Sequence, residues 1–123
     1  MTKTILVVED EKALQAAVEI NLKKSGFDVV SVSSAEGAIK ALETNNKFDG
    51  VWLDHYLLGE ETGLDLLCRM KTNKSWASLP VFAVTNSVGD DKVKSYELLG
   101  IEKYFVKSNS SLNQIINSIK EAV

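Results

Sequence analysis

The chain has 123 residues, 45% of them hydrophobic and 25% charged, which is the size and make-up of one compact domain spanning residues 1–123 and leaves no room for a second. Its formal net charge is -3 and its basic residues are scattered, so it carries no electrostatic footprint for a nucleic-acid backbone and no direct DNA contact is expected. The lone cysteine, Cys68, cannot form an internal disulfide, and no long apolar run or cleavable signal precedes the first charges; a reducing cytoplasm and no membrane partner are expected.

There is no repeat, low-complexity tract or linker. The first apolar run, Thr4 to Val8, contains Ile5-Leu6-Val7-Val8 without two-residue alternation, as expected of a parallel strand covered on both faces. Leu14, Ala17, Val18, Asn21 and Leu22 follow at i, i+3, i+4, i+7 and i+8, with Gly26 beyond Lys23 and Lys24 as a stop; this predicts an amphipathic first helix. Asp28 to Val32 reads as the second strand, and Ser33 with Glu36 as a capping box for a helix carrying Ala38, Ile39 and Leu42. Gly50 to Leu53 is the third strand. Thr62 can cap a third helix with Leu64, Leu67 and Cys68 on its inner face, which makes Cys68 a core residue and not a reactive thiol. Val81 to Val84 is the fourth strand, and a weaker helical pattern runs from about Asp90 to Leu99 before Gly100. Tyr104 to Val106 is the fifth, and Ser111 with Gln114 boxes the start of a last helix bearing Ile115, Ile116 and Ile119.

This order predicts an α/β, doubly wound (βα)5 fold with a five-stranded parallel sheet, right-handed crossovers and a ligand site at the carboxyl ends of the strands. Glu9 and Asp10 follow the first strand, Asp54 ends the third, Thr85 follows the fourth and Lys107 the fifth. Clustered carboxylates resist joint ionisation unless a cation neutralises them, and oxygen-only ligation selects a hard ion, Mg²⁺ or Mn²⁺. Lys107 supplies a compact positive charge opposite that ion, Thr85 a hydroxyl donor, and Asp54 a carboxylate nucleophile able to form an aspartyl phosphate.

The segments Leu6-Val7-Val8-Glu9-Asp10-Glu11, Val51-Trp52-Leu53-Asp54, Gly63-Leu64-Asp65-Leu66-Leu67, Val84-Thr85 and Tyr104-Phe105-Val106-Lys107 resemble, in order and spacing, the receiver domain of two-component response regulators. The resemblance implies a flavodoxin-like, CheY-like sheet with strand order 2-1-3-4-5, the order of a chemotaxis member of that family. It makes Asp54 the phosphoacceptor and Asp10 a direct metal ligand, with Glu9 binding directly or through water and the backbone carbonyl of Tyr56 completing the set. It gives the phosphoryl oxygens to Thr85 and Lys107, and to Tyr104 the part of an aromatic whose position follows Thr85. The implied donor is a phosphohistidine on a histidine kinase or histidine phosphotransfer protein. The implied responding face is the fourth helix, fifth strand and fifth helix, with a downstream protein or a second copy of the chain as candidate partners.

Several positions depart from the family pattern. Leu58 stands where proline is frequent, which suggests a looser loop. Ser108 replaces a proline usually preceded by a cis bond, and a cis bond before any other residue costs about 2.5 to 4 kcal/mol, so a trans bond is open to it. Asn86 is bulkier than the usual alanine and narrows the entrance. His55, read as a loop or surface imidazole, and Tyr56 replace aliphatic or short polar residues. A tyrosine there can cover the acyl phosphate, and Ser87 offers no carboxylate to orient water, so a long-lived phosphoryl group is expected. Tyr104 alone reads equally as a core aromatic.

Two other functions fit parts of the pattern. One is a degenerate receiver acting purely as an interaction module. The other is a small hydrolase with an aspartyl-phosphate intermediate, but its second acid would fall at Tyr56. A flavin site lacks the necessary Ser/Thr/Gly-rich loop after the first strand. With no output segment after Val123, a stand-alone regulator or an excised fragment is expected.

Overall fold

Along the chain β1 (Thr4–Val8), α1 (Lys12–Lys24), β2 (Asp28–Val32), α2 (Ala35–Thr44) and β3 (Gly50–Leu53) are followed by α3 (Gly63–Lys71), β4 (Val81–Thr85), α4 (Asp90–Leu98), β5 (Lys103–Val106) and α5 (Leu112–Ala122). These elements come from a computed structural model that describes residues 2–44, 47–86 and 89–123. The strands form one parallel sheet in the order β2-β1-β3-β4-β5, as the resemblance implied.

The apolar runs without alternation are the ones the sheet covers on both faces. β3 and β4 are buried at every position and β1 at all but Thr4. Leu6, Val8, Val51, Leu53, Val81 and Ala83 face a core closed by α2, α3 and Tyr96 of α4. Ile5, Val7, Trp52, Phe82 and Val84 face a second core closed by Val18 and Leu22 of α1 and the isoleucines of α5. The register aligns Val8 with Leu53, Leu53 with Ala83 and Thr85 with Val106. β1 and β3 therefore finish level while β4 and β5 run two residues further, and the residues after the four strands line one rim.

Capping boxes open α3, between Thr62 and Asp65, and α5, between Ser111 and Gln114. The α2 expectation is off by one residue. Ser34, not Ser33, accepts from the Gly37 amide at 3.0 Å, since α2 begins at Ala35; the Ser33 carbonyl accepts from Leu58 N at 3.0 Å, and Ser34 forms an isolated parallel bridge with Leu58. The inner face of α3 is also rotated from the expected one. Gly63, Leu66, Leu67 and Met70 are buried, and Cys68 is exposed. The rotation follows from Gly63, whose missing side chain lets the first turn lie against the Asp54 carbonyl, where any Cβ would collide.

α1 and α4 end at Gly26 and Gly100, both with positive φ (96° and 81°), where a glycine avoids the penalty a Cβ would incur. Lys107–Ser108 is trans, like every peptide bond among the described residues. Among those residues no helix is long and apolar enough to cross a membrane.

Candidate functional site

Glu9, Asp54 and Lys107 are each fixed by backbone just past a strand end. Glu9 N donates to Val32 O at 3.0 Å, Asp54 N to Val8 O at 3.0 Å and Lys107 N to Thr85 O at 2.9 Å, so the ladder continues one step beyond the strands and turns these side chains onto the rim. Gln15 of α1 braces the same edge, its amide donating to Glu9 O at 2.9 Å and Val32 O at 3.0 Å.

Carboxylate oxygens of Glu9, Asp10 and Asp54 lie within 4.8 Å of one another. Lys107 Nζ sits 3.0 Å from Glu9 Oε1 and 3.0 Å from Asp54 Oδ2. Glu9, Asp54 and Thr85 are buried, and Asp10 is half-buried. One ammonium for three acids is not enough. Burial first, and then the charge of Asp54, pushes the Glu9 carboxyl up to about 7 against the pull of Lys107. Burial works to lower the Lys107 pKa, but its hydrogen bonds to Glu9 and Asp54 outweigh this and hold it above the ordinary value.

Asp54 Oδ1 is buried and has no protein partner. A buried carboxylate oxygen without a donor is costly, and a set of hard oxygens short of positive charge suits a divalent cation of the Mg²⁺ type. The residues present fit such an ion.

The loop after β3 differs from expectation at His55. This ring is buried, with Nδ1 2.7 Å from Tyr96 Oη. Burial, and after it the charge of Lys92, lowers its pKa, so the imidazole is neutral near pH 7. Tyr56 is exposed; its ring packs edge-on against His55 at 4.9 Å, and Lys92 Nζ lies 5.2 Å from its centroid. Asn86 is exposed at the rim, and Ser87 lies outside the described residues. Tyr104 is half-buried, 5.5 Å from the ring of Tyr96.

Sequence reasoning missed His55, Tyr96 and Gly63 as parts of the site's frame. The available signal was a lone aromatic, Tyr96, in a mostly polar α4 (DDKVKSYEL), where it is the one buried residue.

Known proteins resemble this chain in sequence and fold. The chain is 34% identical over 87% of its length to the alkaline phosphatase synthesis transcriptional regulatory protein PhoP of Bacillus subtilis, of which it spans 43%. It is 28% identical over 84% of its length to a chemotaxis protein CheY homologue of Campylobacter jejuni, spanning 79% of that protein. The Mn²⁺-bound form of response regulator Rcp1 superposes with a TM-score of 0.83 at 26% identity, covering 97% of this chain and 92% of that one. The profile of the response regulator receiver domain matches residues 5–120, nearly the whole sheet and every rim residue described above, and the chain belongs to that family.

Proposed function

We propose that Asp54 is the phosphoacceptor of a Mg²⁺-dependent switch charged by a phosphohistidine donor. The observation that carries this reading is the buried pairing of Asp54 Oδ2 with Lys107 while Oδ1 has no protein partner, at the rim where the strands end.

An Asp54 carboxylate oxygen forms a P–O bond as the donor's P–N bond breaks; the electron pair leaves on the imidazole nitrogen, which takes a proton from water. Lys107 moves its ammonium from the carboxylates to a phosphoryl oxygen, and the Thr85 hydroxyl donates to another. Glu9, Asp10, Asp54 and the Tyr56 carbonyl would hold Mg²⁺ or Mn²⁺, which supplies positive charge to the transferring phosphoryl group; the Mn²⁺-bound relative Rcp1 supports that choice.

The acyl phosphate adds about -1.5 to -2 charge and three acceptor oxygens. Drawing Thr85 toward them leaves room that Tyr104 fills, and the face of α4, β5 and α5 changes for its partner. The donor is a histidine kinase or histidine phosphotransfer protein, the compartment the cytoplasm, and residues 1–123 act as one receiver unit. The domain promotes its own phosphotransfer and dephosphorylation and turns over no metabolite.

Mass spectrometry after incubation with acetyl phosphate and Mg²⁺ tests the assignment. One added phosphoryl group on Asp54, absent in Asp54→Ala, is expected. Unchanged modification in Asp54→Ala removes the acceptor. No modification and no Mg²⁺ binding in the parent would leave a degenerate receiver that works by interaction alone.

A further inference from the structure

We infer that His55 and Tyr96 are positioning residues for the phosphoryl chemistry, their buried contact holding the acceptor loop to α4 so that the loop and the helix move together. This rests on the reading of Asp54 as phosphoacceptor.

The contact is short and sheltered: 2.7 Å between His55 Nδ1 and Tyr96 Oη, with both residues buried. Each leaves the other without a partner if it moves away, and an orphaned buried polar group costs more than the bond contributes.

The hydroxyl is confined from the opposite side as well. A Cβ built on Gly63 would lie 2.8 Å from Tyr96 Oη, and the Gly63 amide donates to His55 O at 2.8 Å. Tyr96 Oη therefore sits in a notch made by the first turn of α3 and the residue after Asp54. His55 lies between the acceptor and Tyr56, so the orientation of its ring and that of the peptide carrying the Tyr56 carbonyl are set together.

At its other end the bond has unusual leverage. Tyr96 is the one buried residue of α4, and its ring stands edge-on to Tyr104 of β5 at 5.5 Å. A helix anchored by one side chain takes its position from that side chain. Coupling is reciprocal: a phosphoryl group that resets the acceptor loop moves α4, and a partner that holds α4 tunes the loop.

The test uses the full chain with acetyl phosphate and Mg²⁺, following phosphorylation rate by mass spectrometry, α4 amide shifts by NMR, and melting as a check on folding. Tyr96→Phe keeps the ring and removes the hydroxyl; His55→Leu removes the ring nitrogen. Each should still accept phosphate on Asp54, about threefold to tenfold more slowly, the range one hydrogen bond spans, and should lose half or more of the α4 shift change. His55→Asn, whose amide occupies the place of Nδ1, should recover both. The double variant Tyr96→Phe/His55→Leu should be no worse than the poorer single.

Full α4 response and rate in both single variants overturn the inference, as do losses that add in the double or a failure of His55→Asn to recover. A parent that takes no phosphate on Asp54 defeats the acceptor assignment and this inference with it. A phosphorylated parent with unaffected variants defeats the inference alone.

Discussion

Lys107 reaches from the end of β5 to Asp54 at the end of β3, its Nζ 3.0 Å from Oδ2, and in the same position it pairs with Glu9. The ammonium thus already occupies the side of Asp54 on which the proposed phosphoryl group would place its charge. Removing it leaves two buried acids facing each other, and also removes a contact that the proposed phosphorylated form would use.

Lys107→Ala is accordingly expected to lower the thermal midpoint, with a loss of about 1.5 to 3 kcal/mol typical of a sheltered charge-assisted hydrogen bond. The variant should still accept phosphate on Asp54 but show a reduced shift of β5 and α4 amides. An undiminished NMR response would count against this role.

Metal binding should be visible through Trp52. This side chain is buried on the α1 and α5 side of the sheet, and with Lys107 it lines a cleft of about 150 Å³. Movement of the ammonium as Mg²⁺ binds should change its emission. Asp10 is not ion-paired with Lys107, so Asp10→Ala should weaken Mg²⁺ binding at least about tenfold without lowering the melting temperature. Equal affinity in a fluorescence titration would remove Asp10 from the ligand set.

The exposed ring of Tyr56, two residues after Asp54, is steadied by His55 and Lys92 and carries no carboxylate to orient water. A long-lived phosphoryl group is expected. Tyr56→Asn should admit and orient water and speed release about threefold to tenfold, well short of what a positioned base contributes. Single-turnover phosphate release measures this, and an equal or slower rate in the variant would show that Tyr56 does not shield the bond.

Gly63→Ala should be more damaging than glycine-to-alanine changes usually are in a first helical turn. The new Cβ meets the Asp54 carbonyl oxygen and the Tyr96 hydroxyl, and the misfit should cost about 1 to 3 kcal/mol, as overpacking does. Because the displaced backbone belongs to the acceptor, the rate of phosphorylation should fall as well. A variant with parental melting and parental rate would mean that the helix gives way freely.

The sheet and its rim were legible because their causes are local. Ile5-Leu6-Val7-Val8 and Val81-Phe82-Ala83-Val84 declare burial on both faces, and a polar residue directly after such a run has only the rim to occupy. Thr62 and Ser111 were readable for the same reason, since their partners are three residues away. Cys68, Ser34 and His55 were not, because each depends on a contact distant in sequence. Gly63 against Asp54 rotates α3 and exposes Cys68, the Leu58 backbone pairs with Ser33 and Ser34 ahead of a helix that begins only at Ala35, and Tyr96 draws His55 inside. Helical spacing and family habit carry no information about those meetings.

The bridge between Ser34 and Leu58 bears on how the acceptor loop is restrained. A proline at this position would limit the chain through a ring that fixes φ. Leu58 instead uses its amide hydrogen, which it gives to Ser33 O at 3.0 Å, so the loop is stitched to its neighbour rather than stiffened from within. A ring lowers the freedom of the unfolded chain whatever the loop is doing, whereas a stitch holds only while both strands of it stay together. The loop after β3 is therefore tethered conditionally, and Leu58→Pro, although it would stiffen the chain, would cut the thread.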